Sequence, residues 1–300
     1  MLEIFKKAAQ TRLVTIGYPH APARIHGHFR GAPHFDFSAW RDSRPAAEAC
    51  PTGAIDLQEF AGRRRVTIDY GLCIYCGQCA EADASGAVQI TSEFELAVRQ
   101  RGDLIVTAEY LLEPDGSQGE LAGLHEETPS ERRPLETLGV LERLERKARQ
   151  KIHDVLGRSL AIREVDAGSC NGCEIEIGAL NNPVYDLERL GIHFVASPRH
   201  ADMLLVTGPV TRNMELALLK TYRATPDPKL VVAVGACGIS GGIFGRNYAT
   251  VGGVNTVIPV DVFIPGCPPR PHALLHGILL ALGRMEQRAI NGHSANARPV

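Results

Sequence analysis

Three hundred residues point to two domains rather than one. An apolar fraction of 44% supports a sizeable core, and a formal net charge of −2 gives no electrostatic reason to expect a nucleic-acid partner. Eight cysteines in a long chain with no secretory leader pattern read as metal or redox ligands, not disulfides.

The first ten residues, with Ile4 and Phe5 apolar and Lys6 and Lys7 polar, suggest a short amphipathic helix; they lack the apolar core and cleavage site of a signal peptide. Gly17 to Arg24, with Pro19 and Pro22, is expected to be extended, because proline disfavours helix in the residue before it. This stretch reads either as an arm laid on another subunit or as an ordinary terminal extension. No apolar run reaches the roughly 18–20 residues needed to span a bilayer. The longest, Ala273 to Leu282, contains His276 and reads as a packed helix. The expected location is cytoplasmic, with any membrane contact made through partners.

Cys73-Ile74-Tyr75-Cys76-Gly77-Gln78-Cys79 is a C-x2-C-x2-C run, and Cys50-Pro51 is a Cys-Pro ending. In two-cluster bacterial ferredoxins each half reads C-x2-C-x2-C-x3-C-P, and the fourth cysteine ligates the other half's cluster. Counting back from Cys50, the missing positions of the first half fall on Trp40, Ser43 and Ala46; counting on from Cys79, the last position of the second half is Asp83. Under the crossing rule the four replaced positions are the full ligand set of one cluster. Cys50, Cys73, Cys76 and Cys79 are the full set of the other. One [4Fe–4S] site is therefore expected intact and one deleted, with Trp40 filling part of the vacated volume. The same spacing favours [4Fe–4S] over zinc.

Residues 113–134 carry six acidic and two basic side chains among scattered Gly, Pro and Ser, the composition of a solvated linker. From Leu135 the pattern turns helical: Leu141, Leu144, Ala148, Ile152 and Val155 recur at steps of three and four. Beyond residue 159, short apolar runs (Leu160–Val165, Phe194–Ala196, Met203–Val206, Leu230–Val234, Val262–Ile264) alternate with helical stretches such as Met214–Arg223, which argues for βαβ units and a parallel sheet. The tail from Asn291 is expected to be disordered.

Cys170 and Cys173 form a C-x-x-C pair just after the first of these runs, and Cys237 and Cys267 follow two others. In an open parallel sheet, ligand sites gather outside the carboxyl ends of the strands, so these four thiols can converge on one rim. Zinc ligands usually come as two close pairs in a small module; one pair and two isolated cysteines favour an iron–sulfur cluster. His193, His200, His272 and His276 read as surface or core residues, since both cysteine sets are already complete. The glycine-rich 238–245 lacks the Gly-Lys-Ser/Thr ending of a phosphate loop.

Cys170-Asn171-Gly172-Cys173-Glu174-Ile175-Glu176, Gly235-Ala236-Cys237, Gly241-Gly242-Ile243-Phe244 and Pro265-Gly266-Cys267-Pro268-Pro269-Arg270-Pro271 resemble the small subunit of membrane-associated [NiFe] hydrogenases of the formate hydrogenlyase type, a relative of the cluster-bearing 20 kDa subunit of respiratory complex I. Phe29-Arg30-Gly31, the Cys73 run and Ser92 to Ala97 resemble the ferredoxin-like subunit of the same complex, so the chain looks like a fusion of two neighbouring subunits. The resemblance implies a ferredoxin-like α+β domain over 1–112, an acidic linker over 113–134, and a flavodoxin-like α/β domain over 135–300, with helices on both faces of a parallel sheet. It implies two [4Fe–4S] clusters, a [NiFe] large subunit and other redox and integral-membrane subunits as partners, and electron transfer rather than turnover by this chain alone. The complex I relatives carry two adjacent cysteines where this chain has a spaced pair; the hydrogenase reading therefore leads and a quinone-reducing complex is second. A non-catalytic iron–sulfur or zinc sensor is the third reading. By resemblance Glu176 lies near the large-subunit interface, in proton transfer or cluster tuning; the alternative is an acidic residue complementing a helix dipole. Arg270 is open between a donor near the cluster and an interfacial arginine.

Overall fold

The computed structural model describes residues 14–126 and 159–287 except His26 and Glu286, together with Glu3, Lys6, Lys7 and Thr11. The N-terminal half holds a two-stranded antiparallel sheet, β1 (Pro33–Phe35) with β4 (Val88–Ile90), and two short helices, α1 (Arg44–Glu48) and α2 (Gln78–Ala82). It also holds a four-stranded antiparallel sheet in the order β2 (Ile55–Phe60), β3 (Arg63–Asp69), β5 (Ile105–Leu112) and β6 (Gln118–Glu126). On β3 the burial alternates: Arg64, Val66 and Ile68 face inward, while Arg65 and Thr67 lie on the wetter face, as expected of a sheet covered on one side.

Strand β6 corrects the start of the expected linker. Glu113 to Ser117 form a turn, with the Glu113 N–H donating to Ser117 O at 3.0 Å and Asp115 capping Ser117, and the chain then returns along β5. The acidic composition is that of an edge strand with one solvated face, while Leu121 packs on the core. The rest of the linker (127–134), the helical stripe through Leu141 to Val155, and the tail from Asn291 lie outside the described residues.

The C-terminal half is an open parallel sheet of β7 (Leu160–Asp166), β8 (Ile192–Phe194), β9 (Met203–Thr207), β10 (Leu230–Val234) and β11 (Val262–Ile264). The spatial order is β8-β7-β9-β10-β11, the flavodoxin-like 2-1-3-4-5 order. Strands β9 and β10 are buried at every position, because both faces are covered. Alternate residues divide between two cores. Leu204, Val206, Val231 and Ala233 face one side with α4 (Arg212–Ala224) and α5 (Gly235–Ser240). Met203, Leu205, Val232 and Val234 face the other, with α3 (Gly172–Ala179) and α6 (Pro271–Ala281). The expected helices on both faces are present, and α6 is buried almost all round, His276 included.

The two halves share a core. Val98 and Phe263 exchange backbone hydrogen bonds of 3.0 and 2.8 Å, so a segment of the N-terminal half extends the parallel sheet beyond β11. Gly277 lets α6 close onto Ile264 and Ala97, where a Cβ would collide. The segment around Tyr18 is tied to both halves of its own chain, and it turns where extended chain was expected, the Ala21 N–H donating to Gly17 O at 2.9 Å. The Ile16 N–H donates to Val184 O at 2.9 Å, the Arg189 guanidinium donates to Tyr18 O at 2.6 Å, and the buried Tyr18 hydroxyl donates to Glu95 at 2.9 Å.

Candidate metal centres

The C-terminal quartet sits where β7, β10 and β11 end. After β7 the Asp166 carboxylate accepts from the Gly168 and Ser169 N–H groups at 2.7 and 2.6 Å, and the Ser169 hydroxyl accepts from the Asn171 N–H at 3.0 Å. These turns carry Cys170 across the rim and set Asn171 in the left-handed region (φ 68°) as the start of α3. Cys237 lies in α5, which follows β10 without a loop, and the Ala236 N–H donates to Gly266 O at 2.8 Å, tying α5 to the Cys267 segment.

Two glycines make room for the sulfurs. At Gly235 (φ 77°) an added Cβ would lie 3.0 Å from Cys173 Sγ, and at Gly242 (φ 55°) it would lie 2.8 Å from Cys237 Sγ. Burial pushes the Cys173 thiol well above its ordinary pKa, and Glu174, Cys237, Cys267 and Cys170 push it further. Cys237 rises to about 11 through burial and the neighbouring Cys267 and Cys170. Four mutually repelling sulfurs on one rim suit a cationic centre that takes them as thiolates. Cys170 and Cys267 are exposed.

The N-terminal quartet lines one small cavity: Cys50, Cys73, Cys76 and Cys79, with Pro33, Phe35, Ile55 and Ile68 among its apolar walls. Cys50 follows α1, and the Ala54 N–H points at its sulfur at 3.2 Å. The Tyr75 N–H lies 3.4 Å from Cys73 Sγ. Gly77, at φ 86°, turns the chain into α2, where Cys79 is buried. Burial and the other three cysteines raise Cys73 far above the ordinary thiol range, and burial with Cys76 and Cys50 takes Cys79 to about 11. The four-cysteine donor sets suit a [4Fe–4S] cluster at either quartet, and the N–H···S contacts to Cys50 and Cys73 add to that fit at the N-terminal one. Among the described residues no three His, Cys, Asp or Glu side chains close on a single metal ion.

The four replaced positions are all buried. Trp40 packs on Phe35 and Phe37 with ring centroids 5.2 and 6.2 Å apart. Ser43 donates through its hydroxyl and N–H to the Gln118 carbonyl, at 2.7 and 3.2 Å, and the Gln118 amide donates to Trp40 O at 2.9 Å. Arg64, fully buried, reaches the same Gln118 oxygen at 3.3 Å and pairs with Glu59 and Asp42 at 2.8 and 3.2 Å. Asp83 accepts from the Ser85 hydroxyl and the Val88 N–H at 2.6 and 2.9 Å.

Between the quartets lies a cleft of about 250 Å³ lined by residues of both halves, among them Arg30, Ile74, Tyr75, Glu176, Cys267 and Arg270. Burial raises the Glu176 carboxyl while Arg270 pulls it down, and the Arg270 guanidinium stands 5.9 Å over the Phe29 ring. Glu174 accepts from the Thr207 hydroxyl. His193 and His200 are exposed, and His272 is half-buried with Tyr18, Phe94 and Tyr185 around it. Sequence patterning missed Gln118 and Arg64, which sit far from any motif, and the cleft, which exists only once the halves pack.

The model of the NADH ubiquinone oxidoreductase 20 kDa subunit family matches residues 170–281. Formate hydrogenlyase subunit 7 of Escherichia coli is 54% identical over 44% of this chain and 51% of its own length; the match thus spans about half of that relative. A probable membrane-bound hydrogenase subunit mbhJ of Pyrococcus furiosus is 53% identical over 48% of this chain and 85% of its own. An NADH-quinone oxidoreductase subunit of Carboxydothermus hydrogenoformans is 50% identical over 36% of this chain and 65% of its own.

Proposed function

The chain belongs to the NADH ubiquinone oxidoreductase 20 kDa subunit family, and from that premise we propose that it is the electron-transfer subunit of a membrane-associated [NiFe] hydrogenase complex of the formate hydrogenlyase kind. Cys170, Cys173, Cys237 and Cys267 would hold a [4Fe–4S] cluster next to the [NiFe] centre of a separate large subunit. Cys50, Cys73, Cys76 and Cys79 would hold the second, toward the next redox partner. Each cluster supplies one-electron chemistry, with a potential set by burial and hydrogen bonds to sulfur.

The observation that supports the reading is the rim at the ends of β7, β10 and β11, which carries the four cysteines and where Gly235 and Gly242 leave no room for a side chain beside the Cys173 and Cys237 sulfurs. The protein's own contribution is to bury the sulfurs, orient them and leave one side open. Cys170 and Cys267 are exposed, and on the same half Ile175, Ile243, Phe244 and Tyr248 are exposed large apolar side chains. Such a surface suits a partner subunit and disfavours a free-standing sensor. The spaced Cys170–Cys173 pair supports the hydrogenase reading over the quinone-reducing one. Among the described residues no helix is long and apolar enough to cross a membrane, so attachment to the cytoplasmic face of the membrane would run through integral-membrane partners.

The test is iron and acid-labile sulfide per chain, with EPR of the reduced complex purified anaerobically. About eight irons per chain beyond those of its partner subunits, four per cubane, with two interacting signals and a co-purifying large subunit support the proposal. Zinc in place of iron, or no large subunit, overturns it.

A further inference from the structure

Tyr75 sits between two ligand positions, Cys73 and Cys76, with φ 57°. The left-handed region is unfavourable for a bulky side chain and persists only where the surroundings impose it. The residue lines both the cavity of the Cys50 quartet and the cleft that contains Cys267, so it stands in a wall common to the two sites. Its hydroxyl oxygen is buried and has no hydrogen-bond partner among the described residues. A buried, unmatched hydroxyl is costly and calls for an explanation. The cavity beside it is walled by Pro33, Phe35, Ile55 and Ile68, none of which has a side-chain acceptor. Thr52, the other hydroxyl in that lining, already faces Cys50 Sγ at 3.7 Å. The cleft on the other side of Tyr75 offers the Glu93 and Glu176 carboxylates, and the hydroxyl makes a hydrogen bond to neither; the acceptors left are the sulfurs of whatever the four cysteines hold.

Resting on the two-cluster reading above, we propose that the Tyr75 hydroxyl donates a hydrogen bond to sulfur of the cluster held by Cys50, Cys73, Cys76 and Cys79. Tyr75 is then a positioning residue: its N–H orients Cys73, and its hydroxyl tunes the cluster's potential from the wall shared with the second site. A donor to sulfur stabilises the reduced, more negative state and raises the potential; removing it lowers the potential.

The test is Tyr75→Phe in the full chain, purified anaerobically with its partner subunits, with iron analysis and an EPR-monitored redox titration. Repeating it in a Cys173→Ser background assigns the signals. The expected result is unchanged iron, a shift of the N-terminal cluster's midpoint to more negative potential, and no shift of the C-terminal one. A variant with full iron and both midpoints unchanged overturns the proposal, as does a shift confined to the C-terminal cluster. A wild-type complex with fewer than about eight irons overturns the two-cluster reading instead, and this proposal with it.

Discussion

Gly235→Ala tests the sulfur cradle at its tightest point. The residue has φ 77°, so any Cβ there carries left-handed strain of roughly 1–2 kcal/mol. The Cβ would also stand 3.0 Å from Cys173 Sγ, 3.3 Å from Gly266 O and 3.5 Å from Pro269 Cδ, closer on the first two than an ordinary contact of about 3.5–4.0 Å. Neither of those neighbours can retreat easily, since Gly266 O accepts the Ala236 N–H and Cys173 is fixed in the first turn of α3. Gly245 is the control: φ is 58°, but nothing lies within 4 Å of its would-be Cβ, so Gly245→Ala carries strain alone. At about 2–4 °C per kcal/mol for a domain of 150–250 residues, that strain lowers Tm by roughly 2–8 °C. Gly235→Ala is expected to lower Tm further and to lose about four of eight irons per chain, one cubane, while Gly245→Ala keeps them all. Thermal unfolding and iron analysis of the anaerobic complex decide it. A Gly235→Ala complex with full iron and a Tm no lower than that of Gly245→Ala would refute the cradle.

Cys173→Ser should lose the same four irons and hydrogen-dependent electron transfer, leaving the N-terminal EPR signal; unchanged iron would contradict the ligand assignment. Ile175→Asp places a charge on a side chain 67% exposed beside Cys173. It should keep the iron but lose the co-purifying large subunit in a pull-down, which would still recover that subunit if the face were plain surface. At Asp83 burial raises the carboxyl, but the bonds from Ser85 and Val88 outweigh it, so its folded pKa lies below 3.8. Its contribution, about 1–2 kcal/mol, is present above the unfolded pKa and lost as pH falls through the folded value. Denaturant titration should therefore show Asp83→Asn destabilised at pH 6, with the gap closing in strong acid; a gap that persisted there would rule out the carboxylate as its cause.

The sequence exposes those parts of the molecule that periodicity and spacing encode locally. Leu230–Val234 is read to the residue because a strand covered on both faces is a continuous apolar run. The four strand-end cysteines could be placed on one rim because parallel sheets put their sites there. Strand β6 was illegible because an edge strand with one wet face has the polar composition of a linker; only the pairing with β5 reveals it. The segment around Tyr18 was undecided for a similar reason, since Tyr18, Glu95 and Arg189 meet only through tertiary packing. Tyr75 was visible as part of a cysteine motif, but its place in two cavities depends on how the halves dock.

The docking also gives the four replaced positions a direction. The retained quartet shares Ile74 and Tyr75 with the cleft that reaches Cys267, so it is the site that faces the parallel sheet. Trp40 and Ser43 instead lie against Gln118 at the start of β6, where Arg64 ties them to Glu59 and Asp42. On the two-cluster reading, then, the relay is shortened at its outer end and not interrupted in the middle, and a redox partner exchanges electrons directly with the Cys50 site. The replaced positions Trp40 and Ser43 lie in a packed, hydrogen-bonded region in which a buried arginine is paired and the glutamine oxygen is shared. Restoring the four cysteines alone would leave Arg64 without its Ser43–Gln118 setting, at a cost in stability that a cluster would first have to offset. On that reading the absence of a second cluster site is held in place by the contacts of β6 as well as by the residues at the four replaced positions.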